Sequence, residues 1–181
     1  MSEPRLPSWA VVSDERRAHI ERVANLVRAW SAELAPTQEE LNRWLRATYC
    51  HDALKDAASA RLRELAQIDW EPEDLLHGPA AASIAESEGE SDAQVLDAVR
   101  YHSAGYAGWD DVGKVLYMAD YLEPGRNFDS NGRESLIRLV AEDFERALFE
   151  VARGRVSWVR SRNWPLLPET SEFWNALLES R

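Results

Sequence analysis

Apolar residues at helical spacing, closed by recognisable caps, run through nearly the whole of this 181-residue chain. Ile20, Val23, Ala24, Val27 and Trp30 recur at i, i+3, i+4 and i+7, which predicts a helix over about 14–34. Ala35-Pro36 ends it, because the residue before proline disfavours helical backbone. Thr37 with Glu40 forms a capping box and opens a second helix reaching His51-Asp52. Further helices are expected over 57–67, over part of 73–87, from a Ser91/Gln94 box to about His102, over 110–122, and as one long amphipathic helix over 132–154. The chain has 8 glycines, and no period-2 apolar run bounded by turns stands in it, so a sheet is not expected. The reading is an all-α fold: one compact helical bundle over 13–154, an N-terminal arm over 1–12, and a C-terminal helical extension over 155–181 packed on the same domain.

Composition then narrows the function. Hydrophobic residues make up 45% of the chain, enough for a real core. The formal net charge is −11, which argues against a broad nucleic-acid surface. A small anionic substrate stays open, since a bound metal ion reverses the local field. No apolar run approaches the roughly 20 residues of a membrane span, and the first ten residues lack a basic stretch followed by an apolar one. The single Cys50 excludes an internal disulfide and a cysteine-based zinc site. A cytoplasmic protein without membrane or nucleic-acid partners is the expectation.

The four histidines, His19, His51, His77 and His102, carry the chemistry. His51 and Asp52 are adjacent near a helix end, where an imidazole and a carboxylate can lean toward one ion. That donor pair suits Fe, Mn, Co or Zn better than Ca. Lys55, at i+4 from His51, shares their face and suits a phosphate. Asp120 interrupts the apolar run Val115–Ala119 and needs a partner if buried, a metal or a cation. Any one of these histidines alone reads as a cap or a surface group, and Lys55 alone as a solvated charge. The ordered set H…HD…H…H…D uses every histidine in the chain. The tryptophan-rich tail (Trp158, Trp164, Trp174) is read as packing or a subunit contact, with a homodimer in view, rather than a base-stacking platform.

That order resembles the HD superfamily of metal-dependent phosphohydrolases. The segments RRAHIERVANLV, HDALKD, LLHGPAAA, AVRYHSAGY and KVLYMADYLEPGRNF follow one another over residues 16–128. Together with LLPETSEFWNALL at 166–178 they resemble the bacterial YqeK-type enzymes, which cleave diadenosine tetraphosphate symmetrically. The resemblance implies a helical, iron-containing hydrolase of one or two ions, with Mn, Co or Mg as substitutes. It implies His19, His51, Asp52 and Asp120 as ligands of one ion, and His77 and His102 with a bridging Asp52 for a second. It assigns catalysis to Asp52 and Lys55, and substrate contacts to Lys55, Arg126, His77 and His102. The chain departs from the family at Ser103-Ala104 and at Gly108–Asp111, both expected in a loop lining the nucleoside pocket. Two other readings share the ligand set: a nucleotidase or cyclic-nucleotide phosphodiesterase, and a di-iron oxygenase. A nucleotide-sensing protein with a degenerate site is a fourth, disfavoured by the complete ligand set.

Overall fold

The computed structural model describes residues 4–126 and 130–180, the side chains of 130 and 131 apart. Asn127 and Phe128 of the quoted motif, the first three residues of the arm, and Arg181 lie outside the described residues. The described residues form nine α-helices: α1 (Asp14–Leu34), α2 (Gln38–Cys50), α3 (Ser59–Ala66), α4 (His77–Ser87), α5 (Ala93–Tyr101), α6 (Asp111–Leu122), α7 (Ser130–Glu142), α8 (Phe144–Ser161) and α9 (Pro168–Glu179). A 3-10 turn over Glu73–Leu76 leads into α4. No strand is present among them, and none of these helices is long and apolar enough to cross a membrane.

Helix α6 is the axis of the bundle. It is buried on nearly every side, through Val112, Val115, Leu116, Met118, Ala119 and Leu122, and α1, α2, α5, α7 and α8 pack around it. A helix that is apolar all round belongs in the centre, and each large side chain buried there contributes about 1.5–3 kcal/mol. Asp120 sits on this axis, which puts a carboxylate in the middle of the fold.

Most helix limits arise from local chemistry. The capping box forms as predicted, with Thr37 Oγ1 accepting from the Glu40 N–H and the Glu40 carboxylate accepting from the Thr37 N–H. Two expectations change. Helix α5 is capped by Asp92, whose carboxylate accepts from the N–H groups of Gln94 and Val95, so the cap is one residue past Ser91. The single helix expected over 132–154 is two, because Asp143 leaves helical geometry (φ −154°, ψ 85°) and caps α8 by accepting from the Arg146 N–H. An aspartate that hydrogen-bonds nearby backbone competes with helix continuation. Helix α8 then runs on through Gly154 to Ser161.

Two local devices hold the histidine-bearing segments in place. The arm is bonded across the turn after α2: Val11 N donates to Ala53 O at 2.7 Å, and Asp56 N donates to Val11 O at 3.3 Å. Gly78 lets the start of α4 lie against the end of α5. A Cβ there would stand 2.9 Å from the carbonyl oxygens of Val99 and Arg100, closer than side chains tolerate. His77 and His102 meet across that contact.

Candidate metal centre

Each of the four histidines has its Nδ1 bonded to an acceptor that cannot donate. His51 Nδ1 lies 2.6 Å from Thr48 O, His77 Nδ1 2.5 Å from Asp74 O, and His102 Nδ1 2.8 Å from Val99 O. In each case the partner is the carbonyl three residues earlier, so the helix or turn itself orients the ring. His19 uses a carboxylate instead, Glu123 Oε1 at 3.2 Å. Glu123 in turn accepts from Arg22 Nε at 2.6 Å and from Gly125 N at 2.7 Å. Burial opposes the Glu123 anion, but His19, Arg22 and the Gly125 N–H outweigh it and bring its carboxyl down to about 2. In the neutral tautomer that these partners select, Nδ1 carries the hydrogen and Nε2 keeps a lone pair for a ligand. Fixing the tautomer through the outer nitrogen is how proteins prepare imidazole for a metal.

These lone pairs converge. Ring centroids run 5.6 Å from His19 to His51, 5.0 Å from His51 to His102, and 4.9 Å from His102 to His77. His19 Nε2 and His51 Nε2 are buried without any hydrogen-bond partner. His77 Nε2 and His102 Nε2 stand 3.1 Å apart. Two lone pairs facing each other in a buried site repel unless an electrophile lies between or beside them.

Asp52 joins the halves. Its Oδ1 lies 3.0 Å from His77 Nε2 and 3.5 Å from His102 Nε2; its Oδ2 lies 3.6 Å from His19 Nε2 and 3.7 Å from His51 Nε2. Asp120 Oδ1 is 3.2 Å from His19 Nε2. Two groups result, His19–His51–Asp120 and Asp52–His77–His102, each with its donor atoms within 4.8 Å of one another. All six side chains are buried. The donor set, imidazole nitrogen with carboxylate oxygen, fits a first-row divalent ion.

The charge state suits one. Burial drives the His51 imidazole down to about 4 and lowers His102 as well, so both are neutral at pH 7. Burial disfavours the Asp52 anion, but His51, His102 and His77 outweigh it and hold the carboxyl well below the usual range. Asp120 is held low against its own burial by Arg126, His19 and Arg155. Burial opposes charge on His19 too, yet Asp120 and Glu123 raise it.

The centre opens on a cavity of about 810 Å³. Asp52, His77, His102 and Asp120 line its floor; His19 and His51 lie beneath them. Arg16, Lys55, Arg126 and Arg155 also line the cavity, as do Glu71 and Asp74. Arg16 Nη1 donates to Asp52 Oδ2 at 2.6 Å, Arg155 Nη2 donates to Asp120 Oδ2 at 2.8 Å, and Arg126 Nη2 donates to Asp120 Oδ1. Lys55 Nζ donates to the Asp74 carboxylate at 2.9 and 3.0 Å.

The six expected ligands, Lys55 and Arg126 all lie at this site, with two differences of pairing. Arg126, expected on a substrate, is bonded to Asp120, the nearest buried anion. Lys55 is bonded to Asp74. Sequence reading missed Arg16, Glu123 and Arg155. Arg16 is three residues before His19 and Glu123 three after Asp120, a helical spacing that puts both on the ligand face; Arg155 comes from a distant helix and leaves no local signal. Of the two departures, Ser103 and Ala104 line the cavity. The 108–111 stretch does not: Trp109 is buried against Tyr117 and Phe173, and Asp110 caps α6. Burial pushes the Cys50 thiol up to about 12, leaving it no role as a nucleophile.

Comparison with known proteins gives three kinds of similarity. The HD domain family model matches residues 16–125, more than half of the chain. The symmetrical bis(5'-nucleosyl)-tetraphosphatase of Bacillus subtilis is 35% identical over 112 residues, 61% of this chain and 59% of that protein. The protein of the same name from Halalkalibacterium halodurans is 31% identical over 107 residues, 59% of this chain and 56% of that protein. The chain thus spans a little over half the length of the curated relatives it matches. A crystal structure from Clostridium acetobutylicum, described as a predicted HD superfamily hydrolase involved in NAD metabolism, superposes with a TM-score of 0.81. It is 25% identical, with 94% of this chain and 92% of that chain covered.

Proposed function

The chain belongs to the HD domain family, and from that premise we propose that it is a metal-dependent phosphohydrolase that cleaves dinucleoside tetraphosphates symmetrically, diadenosine tetraphosphate giving two ADP. The observation that carries the reading is the convergence of four histidine Nε2 atoms and two buried carboxylates beside a cavity that four cationic side chains help to line. The relatives' names supply the substrate class.

In this reading His19, His51, Asp52 and Asp120 hold one ion, and His77 and His102 share Asp52 with a second. Iron is the metal proposed, with Mn, Co or Mg as substitutes. Such an ion supplies Lewis acidity and a water of lowered pKa at neutral pH. The chain supplies the rest. Asp52, with one oxygen toward each histidine pair, would orient the centre and help hold the attacking water in place. Lys55 and Arg126 turn from Asp74 and Asp120 to the polyphosphate and neutralise charge that spreads over the phosphoryl oxygens in the transition state. Water adds at an inner phosphorus, the bridging oxygen leaves with the other half, and each half departs as ADP. The net charge of −11 fits a small substrate captured by these local cations rather than a nucleic acid. A cytoplasmic location and the division into arm, metal domain over 13–154 and extension belong to the same proposal.

The test is product analysis. The protein is purified anaerobically, loaded with Fe(II) or Mn(II), and given diadenosine tetraphosphate. ADP as the sole product is expected. AMP with ATP would move the attacked phosphorus, and turnover that requires O₂ would replace the hydrolase by the oxygenase reading.

A further inference from the structure

Part of the cavity lining comes from the end of α8, the link to α9 and the start of α9, through Trp158, Val159, Trp164, Leu166, Leu167 and Thr170. None of these is charged. Trp158 and Trp164 remain 52% and 47% exposed, among the largest apolar exposures of the described residues. Exposed aromatic surface facing a concave site marks a ligand contact more often than packing does. The rings meet edge to face, centroids 5.3 Å apart and planes at 86°, and so form a corner.

The corner is rigidly made. Asn163 takes a left-handed conformation (φ +56°) just past α8, a conformation asparagine tolerates. Its N–H donates to Arg160 O at 3.0 Å, and the Trp164 N–H donates to Val159 O at 3.3 Å. This pair of bonds closes the helix and folds Trp164 back onto Trp158, the apolar contact such a cap favours. The cap explains why the rings touch. It leaves unexplained why two rings, each about half exposed, line the same cavity as the ligands and four cations.

We propose that Trp158 and Trp164 form a nucleobase-stacking subsite, holding one nucleoside of the substrate while its phosphate chain runs inward to Arg16, Lys55, Arg126 and Arg155. The inference rests on the phosphohydrolase reading and adds to it the residues that recognise the base. The wall selects a ligand with an anionic chain at one end and a flat apolar group at the other; inorganic polyphosphate would leave it unused. A base stacked on one ring face while the second ring closes the side is held without hydrogen-bond readout, so adenine and guanine are both accepted there.

The experiment measures, by calorimetry on the full, Mn(II)-loaded chain, the affinity for ADP and for pyrophosphate. Wild type binds ADP more tightly than pyrophosphate. Trp158→Ala and Trp164→Ala each weaken ADP by about 5- to 100-fold and leave pyrophosphate unchanged. Trp164→Phe, which keeps an aromatic face and the cap contact, retains most of the ADP affinity. Leu178→Ala, an exposed apolar residue away from the cavity lining, changes neither. Loss of both ligands together, retention of ADP affinity in both alanine variants, or a wild type that prefers pyrophosphate overturns the subsite. So does a dimer that falls to monomer in Trp158→Ala while ADP affinity holds, since that would make the face a subunit contact. Failure to hydrolyse the dinucleotide with ADP discrimination intact would count against the phosphohydrolase reading and leave the subsite standing.

Discussion

The inner and outer walls of the cavity are built by opposite rules. The inner wall consists of buried, ionised or lone-pair-bearing groups, each held by a partner behind it: Glu123 behind His19, Thr48 O behind His51, Asp74 O behind His77, Val99 O behind His102. The outer wall consists of partly exposed, mostly apolar side chains, with the Arg162 guanidinium 5.6 Å over the Trp158 ring. A buried polar group is costly unless satisfied, so the inner wall tolerates little change. Half-exposed rings give up modest stability when truncated, so the outer wall is free to vary. The proposed function places chemistry on the first, and the proposed subsite places recognition on the second.

The contrast is sharpest at Arg126. Arg126→Ala leaves the ligands in place and removes a cation facing the phosphates, so kcat/KM falls by about 10²-fold while bound metal, read by elemental analysis, is kept. Loss of the metal with the arginine would show that Arg126 serves Asp120 and not the substrate.

Glu123→Gln acts one layer deeper. It removes the anion that fixes the His19 tautomer without touching the cavity, so metal affinity drops by about 10- to 100-fold, and excess metal restores turnover. A variant with unaltered metal affinity would mean that the supporting layer is dispensable.

The smallest effect is expected far from both walls. Asp92 caps α5 and accepts from Arg43 Nε at 2.6 Å, and Arg43 is the first cause of its lowered carboxyl pKa. Asp92→Ala costs about 1 kcal/mol, read as a lower Tm at neutral pH, with turnover unaffected. Because the folded carboxyl is depressed, its contribution is present above the ordinary aspartate pKa of 3.8 and lost as pH falls through the lower folded value. The gap between wild type and variant therefore closes in acid; a gap independent of pH would remove the ion pair from the account.

The two walls also differ in how legible they are in the sequence. The inner wall is written in residue types that are rare here: four histidines, an HD pair, and one aspartate in an apolar run. Helical periodicity and caps place α1, α2 and α6 nearly to the residue, because their signals are local. The break at Asp143 escapes such a reading because the apolar stripe continues across it, and the Asp92 cap because Ser91 offers an equally good local pattern. Arg155 and the Trp158–Trp164 corner are out of reach, since both depend on where α8 lands against α6. The packing role read for the tail describes Trp174, stacked on Phe149 at 5.1 Å, while Trp158 and Trp164 pack on each other at the cavity.

The most direct test of the metal centre is Asp52→Ala. Asp52 lies within 3.7 Å of the Nε2 atoms of all four histidines, 4% exposed at the junction of the two ligand groups. Metal per chain and turnover of diadenosine tetraphosphate are measured together, on wild type and variant reconstituted in parallel with Fe(II). The expected result is a folded variant that holds no stoichiometric metal and releases no ADP. A variant with full metal content and wild-type turnover would contradict the assignment of Asp52 as the bridge between the two ligand groups.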